Sequence, residues 1–112
     1  AIDMAADNAG AASYVLGDMN PLTPEINLAA LSMEMRHNEK VVSTGKASTC
    51  MGNPMNVLVW LQEALARHDE GLKTGQIVYC GSLVPIIQVQ PGDTFQAVVE
   101  GMGSASCHFA PA

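Results

Sequence analysis

Asp7-Asn8 and Cys80-Gly81-Ser82-Leu83 are the two short runs of this 112-residue sequence whose residue types suit chemistry. Asp7 and Asn8 sit among Ala and Gly, where small side chains permit close backbone approach, so a carboxylate and an amide there can orient a polar ligand or a water. The plain structural alternative is a local Asx turn or helix cap. Gly81 and Ser82 follow a β-rich stretch, where exposed N–H groups and a hydroxyl can meet an anion. A glycine bulge is the competing account. The histidines, His37, His68 and His108, fall in a turn, at a helix end and in a late strand, and none has a companion at metal-ligand spacing. Eleven acids are present, yet none forms an E-x-E or D-x-D pair that would set two carboxylates on one strand face. Glu34 stands alone on the solvent-facing register of its strand. No nucleophile elbow, P-loop or dinucleotide fingerprint occurs.

These residues must be held by a modest core. Hydrophobic residues make up 48% and charged residues 14%, a balance that indicates a packed protein with surface left for a partner to cover. Only five residues are aromatic, so the core is expected to rely on Leu, Val, Ile, Met and Ala. A net charge of −6 with five scattered basic residues excludes a phosphate-neutralising stripe, and nucleic acid is not an expected partner. Apolar runs are too short for a membrane span and no secretory signal precedes them. Cys50, Cys80 and Cys107 are odd in number and widely spaced, which argues for structural thiols in a reducing, cytoplasmic compartment. The sequence starts at Ala1, compatible with processing, trimming or a piece of a longer protein.

The chain reads as one domain over 1–112, without repeats or linkers. Its opening twelve residues are ambiguous between helix and loop and lead to a short strand at 12–16. A loop follows over 17–24. Leu31, Met33 and Met35 alternate with Ser32, Glu34 and Arg36, the period-2 pattern of a half-buried strand, and 41–44 returns as its partner after a turn at 37–40. Asn53 caps a helix, Pro54 suits its first position, and Val57, Leu58, Leu61, Ala64 and Leu65 form one apolar stripe. Arg67 and His68 complement the dipole at its end, so the helix is expected over about 54–68. Strands are expected at 76–79, 84–89 (despite Pro85), 95–99 and 105–109, with turns at Pro91-Gly92-Asp93 and 101–104. The sum is a mostly β, α+β domain with one docked helix.

An ordered series of motifs then carries a family likeness. Thr74-Gly75-Gln76-Ile77-Val78, Gly81-Ser82, Val89-Gln90-Pro91-Gly92-Asp93 and Glu100-Gly101-Met102-Gly103-Ser104 resemble the closing third of the fumarylacetoacetate hydrolase superfamily. Ala6-Asp7-Asn8-Ala9 and Gly52-Asn53-Pro54-Met55-Asn56 with Val59-Trp60-Leu61 look most like its 2-keto-4-pentenoate hydratases. The sister 4-oxalocrotonate decarboxylases share much of the pattern, while Ser43-Thr44-Gly45-Lys46 and the setting of Trp60 favour the hydratase. The resemblance implies a mixed β-roll with helices outside it, homo-oligomeric assembly, and Mg2+ (or Mn2+) held by three carboxylates. Those carboxylates and a family lysine lie upstream of the matched region and have no counterpart here.

The resemblance also implies the chemistry of the whole enzyme. The metal chelates the carboxylate and 2-oxo oxygen of a small 2-keto acid, making the conjugated system an electron sink for protonation and water addition. Asp7, Asn8, Gly81 and Ser82 correspond to substrate-positioning stretches, although Ala6 and Cys80 stand where the family favours Ser and Thr. The expected function is therefore part of a hydratase for 2-hydroxypenta-2,4-dienoate in aromatic catabolism, inactive as an isolated chain. A homo-oligomer, or a second chain supplying the upstream half, would complete it. The alternatives are a decarboxylase, or a non-catalytic binding or assembly remnant of the fold.

Overall fold

A computed structural model of the protein describes residues 12–112. Asp7, Asn8 and the ambiguous opening segment lie outside the described residues. Four antiparallel strands form one sheet: β1 (Ser32–His37), β2 (Lys40–Lys46), β3 (Thr94–Val99) and β4 (Gly103–His108), in the order β2-β1-β3-β4. Two local hairpins, β1-β2 and β3-β4, thus meet through the central pairing of β1 with β3.

The register explains the alternation of the sequence. Met33, Met35 and His37 stand opposite Val99, Ala97 and Phe95, which in turn face Gly103, Ala105 and Cys107. Side chains alternate across a strand, so these residues share one largely apolar face. Glu34, Arg36, Gln96, Ser104 and Ser106 occupy the other. Glu34 is not alone there: the Arg36 guanidinium donates to its carboxylate at 3.0 Å. Both side chains are substantially exposed, so this pair contributes little to stability.

The expected turn at 37–40 is a two-residue hairpin connection. Asn38 and Glu39 have φ of 48° and 71°, the left-handed pair that matches the twist of adjoining strands. A register shift beside Met35 and Arg36 places one extra residue, Val42, on β2.

The helix α1 (Pro54–Ala66) starts where its cap predicts, with the Asn53 side chain accepting from the Met55 N–H at 2.9 Å. It ends two residues sooner than expected. The Val57, Leu58, Leu61, Ala64 and Leu65 stripe is its half-buried face, whereas Val59 and Trp60 are exposed. α1 lies against a short 3-10 turn at Leu28–Ala30. No helix among the described residues is long and apolar enough to cross a membrane.

Three expected strands are absent. Residues 12–16, 76–79 and 84–89 belong to no strand ladder. β-propensity reports that a segment suits an extended, half-buried surface, and a ladder additionally requires a neighbouring edge. The core also departs from expectation. Its buried apolar residues are Ala47, Cys50 and the aromatic Phe95, which stacks on His37 and meets Phe109 edge-on.

Candidate functional site

The corner formed by residues 80–84 is positioned by β2. Leu83 brings its carbonyl so close to Gly45 that any side chain at 45 would collide with it, so glycine is required by close approach. Gly81 has φ of +98°, a left-handed value that turns the chain before Ser82. The Ser82 hydroxyl donates to the Val84 carbonyl and accepts from the Val84 N–H at 3.3 Å, a local serine turn. Gly81 and Ser82 are exposed, with this internal pairing occupying the hydroxyl. Burial pushes the adjacent Cys80 thiol up, and the Cys50 thiol adds to the effect. A thiol held neutral is a poor nucleophile, which matches a packing role. All three cysteines are free.

An open groove of about 760 Å³ runs beside this corner, between α1 and residues 70–79. Leu61 and Leu65 form its helical wall, facing Ile77, and Tyr14 and Tyr79 meet edge-on at 5.7 Å. Its lining mixes apolar side chains with the polar groups of Glu70, Gln76 and the two tyrosines.

A second polar cluster occupies the β1-β2 turn end of the sheet, and inspection of the sequence missed it. His37 Nε2 lies 3.0 Å from Asp93 Oδ1, and the ring is stacked at 4.6 Å on Phe95. The Asn38 amide donates to the same carboxylate oxygen at 3.3 Å, and the Gln90 N–H donates to the other at 2.8 Å. The bond from His37 and that from Gln90 hold the Asp93 carboxyl below its ordinary range, with Asn38 assisting and burial opposing. Asn38 Oδ1 accepts from the Thr94 N–H at 2.9 Å, so the cluster ties one hairpin to the other. Nearby, Thr94 Oγ1 lies 2.8 Å from His108 Nδ1. This arrangement fixes loops. His37 and Asp93 are 56 residues apart, and the only signal in the sequence was two turns, His37-Asn38 and Pro91-Gly92-Asp93, that pairing of β1 with β3 brings to one end.

Among the described residues no three His, Cys, Asp or Glu side chains converge as metal ligands. The donor set present does not fit a carboxylate-held divalent ion, so no chemical step is assigned to one here. The structure also leaves Gly81-Ser82 and the His37-Asp93 cluster as separate features, each with its own local partners.

An antiparallel sheet of two hairpins with a lateral helix and an outlying Gly-Ser corner defines the class, a mostly β domain of the hydrolase-type C-terminal fold. The solved 4-oxalocrotonate decarboxylase from Pseudomonas putida G7, complexed with calcium and acetate, superposes with a TM-score of 0.71 at 29% identity, covering 76% of this chain and 33% of that one. The same enzyme complexed with magnesium and adipate gives the same score. Residues 2–110 match the fumarylacetoacetate (FAA) hydrolase C-terminal family, and the chain belongs to that family. It is 38% identical over 109 residues to 2-keto-4-pentenoate hydratase 2 of Dechloromonas aromatica, covering 97% of this chain and 42% of the relative. The 2-keto-4-pentenoate hydratase of Paraburkholderia xenovorans is 36% identical, with 96% and 40% covered. The chain therefore spans about two-fifths of the length of the curated relatives it matches.

Proposed function

We propose that this chain is the closing part of a hydratase that adds water to 2-hydroxypenta-2,4-dienoate. The observation that carries the reading is continuous similarity to 2-keto-4-pentenoate hydratases over 96–97% of the chain. In this reading residues 1–112 form one unit of a cytoplasmic, aromatic-catabolic enzyme. Proton delivery to the terminal carbon, with loss of the enol proton, converts the dienol to an enone. Water then adds across the remaining conjugated alkene, hydroxyl to the carbon β to the ketone and a proton to the α carbon, giving a 4-hydroxy-2-oxo acid.

The chain's share of that chemistry is positioning. The backbone N–H groups at Gly81 and Ser82 orient the substrate's anionic end, while Asp7 and Asn8 orient its polar or water-bearing side. The carboxylates for Mg2+ (or Mn2+) belong to the upstream part of the enzyme, carried by the same polypeptide or by a partner. The 4-oxalocrotonate decarboxylase likeness favours a second reading, loss of carbon dioxide from a related 2-keto acid. A non-catalytic remnant is the third.

The test follows the ultraviolet absorbance of 2-hydroxypenta-2,4-dienoate with the chain alone and with the upstream polypeptide added. Loss of the diene only in the combined sample, abolished by chelator, supports the hydratase. Consumption of 4-oxalocrotonate with release of carbon dioxide, and none of the diene, replaces it with the decarboxylase. An inert combined sample leaves the remnant.

A further inference from the structure

Residues 77–89 contain Ile77, Val78, Leu83, Val84, Ile86, Ile87 and Val89, yet among the described residues none of their N–H or carbonyl groups bonds to another backbone group. Ile77, Tyr79 and Ile86 are 50%, 50% and 95% exposed. A strand-forming run without backbone-to-backbone pairing and with outward apolar side chains is a template for a partner strand.

The area of the molecule points the same way. The chain exposes 8545 Å² at a mass of 11.7 kDa, whereas a compact protein of that mass exposes about 5,900 Å². Setting aside about 1,500 Å² for residues 1–11 still leaves an excess of about 1,100 Å². One partner's share of a standard stable interface is about 800 Å².

Resting on the hydratase reading above, we infer that residues 77–80 and 86–89 are docking strands, completed by strands of the polypeptide corresponding to the part of the FAA hydrolase relatives that this chain does not span. Gly81, with its left-handed backbone, and Pro85, which has no N–H, divide the segment into those two runs. A second copy fits less well. Antiparallel self-pairing would set the Gly81–Pro85 interruption at the centre of the ladder. The occupant adds backbone pairing on the free edges and covers the groove that Ile77 and Tyr79 line.

The test co-expresses this whole chain with the polypeptide of the Dechloromonas aromatica hydratase that lies outside the 109 matched residues, and reads amide hydrogen exchange by mass spectrometry. In the chain alone, amides of 77–80 and 86–89 exchange without protection. In the complex they slow by at least about 100-fold. Ile77→Pro and Ile86→Pro each remove one N–H from a run, and neither N–H holds a backbone bond in this chain. Each abolishes the new protection in its own run while β3 and β4 amides, read in the same experiment, stay protected. Failure to co-purify, a complex in which these runs remain unprotected, or concentration-dependent protection of the chain alone would overturn the inference. A protected but inactive complex would instead overturn the hydratase reading, because protection does not depend on turnover.

Discussion

Replacing Phe95 tests where the stability of this chain resides. The ring is buried to 8% exposure, stacked on His37 at 4.6 Å and 3° and perpendicular to Phe109 at 6.1 Å. Truncation of a buried Phe to Ala costs about 3–5 kcal/mol through lost transfer energy and the cavity left behind. Leu retains most of the apolar volume but loses two aromatic contacts, each worth about 0.5–1.5 kcal/mol. Phe95→Leu is therefore expected to lose about 1–3 kcal/mol. Domains have only about 5–15 kcal/mol in total, so Phe95→Ala should consume about a fifth or more of the stability. The assay is urea unfolding followed by far-ultraviolet circular dichroism, with both variants compared at unchanged denaturant slope. A loss below 1 kcal/mol for Phe95→Ala, or equal losses for Ala and Leu, would refute the assignment of Phe95 and its ring contacts as the sheet's anchor.

Acid titration gives another check. Because the Asp93 carboxyl is lowered in the folded chain, its contribution is present above the ordinary value near 3.8 and disappears as pH falls through the still lower folded value. Asp93→Asn should flatten the fall in stability below about pH 4, measured as urea midpoints across acidic buffers. Asn53→Ala removes the acceptor that caps α1 and should cost about 1 kcal/mol in thermal unfolding, while Asn53→Gly should cost only a few tenths. Gly45→Ala drives a methyl into the Leu83 carbonyl and should destabilise by about 1–3 kcal/mol, with increased proteolytic cleavage near 83 as the accompanying sign.

Local rules were written plainly in this sequence. Asn53-Pro54 and the stripe from Val57 to Leu65 specified both the start and the inward face of α1. Alternation in 31–36 and 95–99 specified strands whose register places Met33, Met35, Ala97 and Phe95 on one face. Pairing was less legible. Val78 and Ile87 have the same strand character as Val98, but their ladder depends on an edge that the described residues do not provide. The candidate site divided in the same manner. Gly81 and Ser82 were visible as a glycine-hydroxyl corner, whereas the bond between His37 and Asp93 depends on tertiary pairing across 56 residues and has no local signature.

The strand order has a consequence for how the molecule assembles. β1-β2 and β3-β4 are each joined by short turns and can zip independently within about 1–10 μs. Joining β1 to β3 brings together Met33 and Val99, whose separation carries a much larger loop-closure entropy. Asn38 and Thr94 exchange two hydrogen bonds at that junction, of 2.8 and 2.9 Å. They act as the latch of a late search: two finished hairpins diffuse on a long tether until one turn finds the start of the other strand pair.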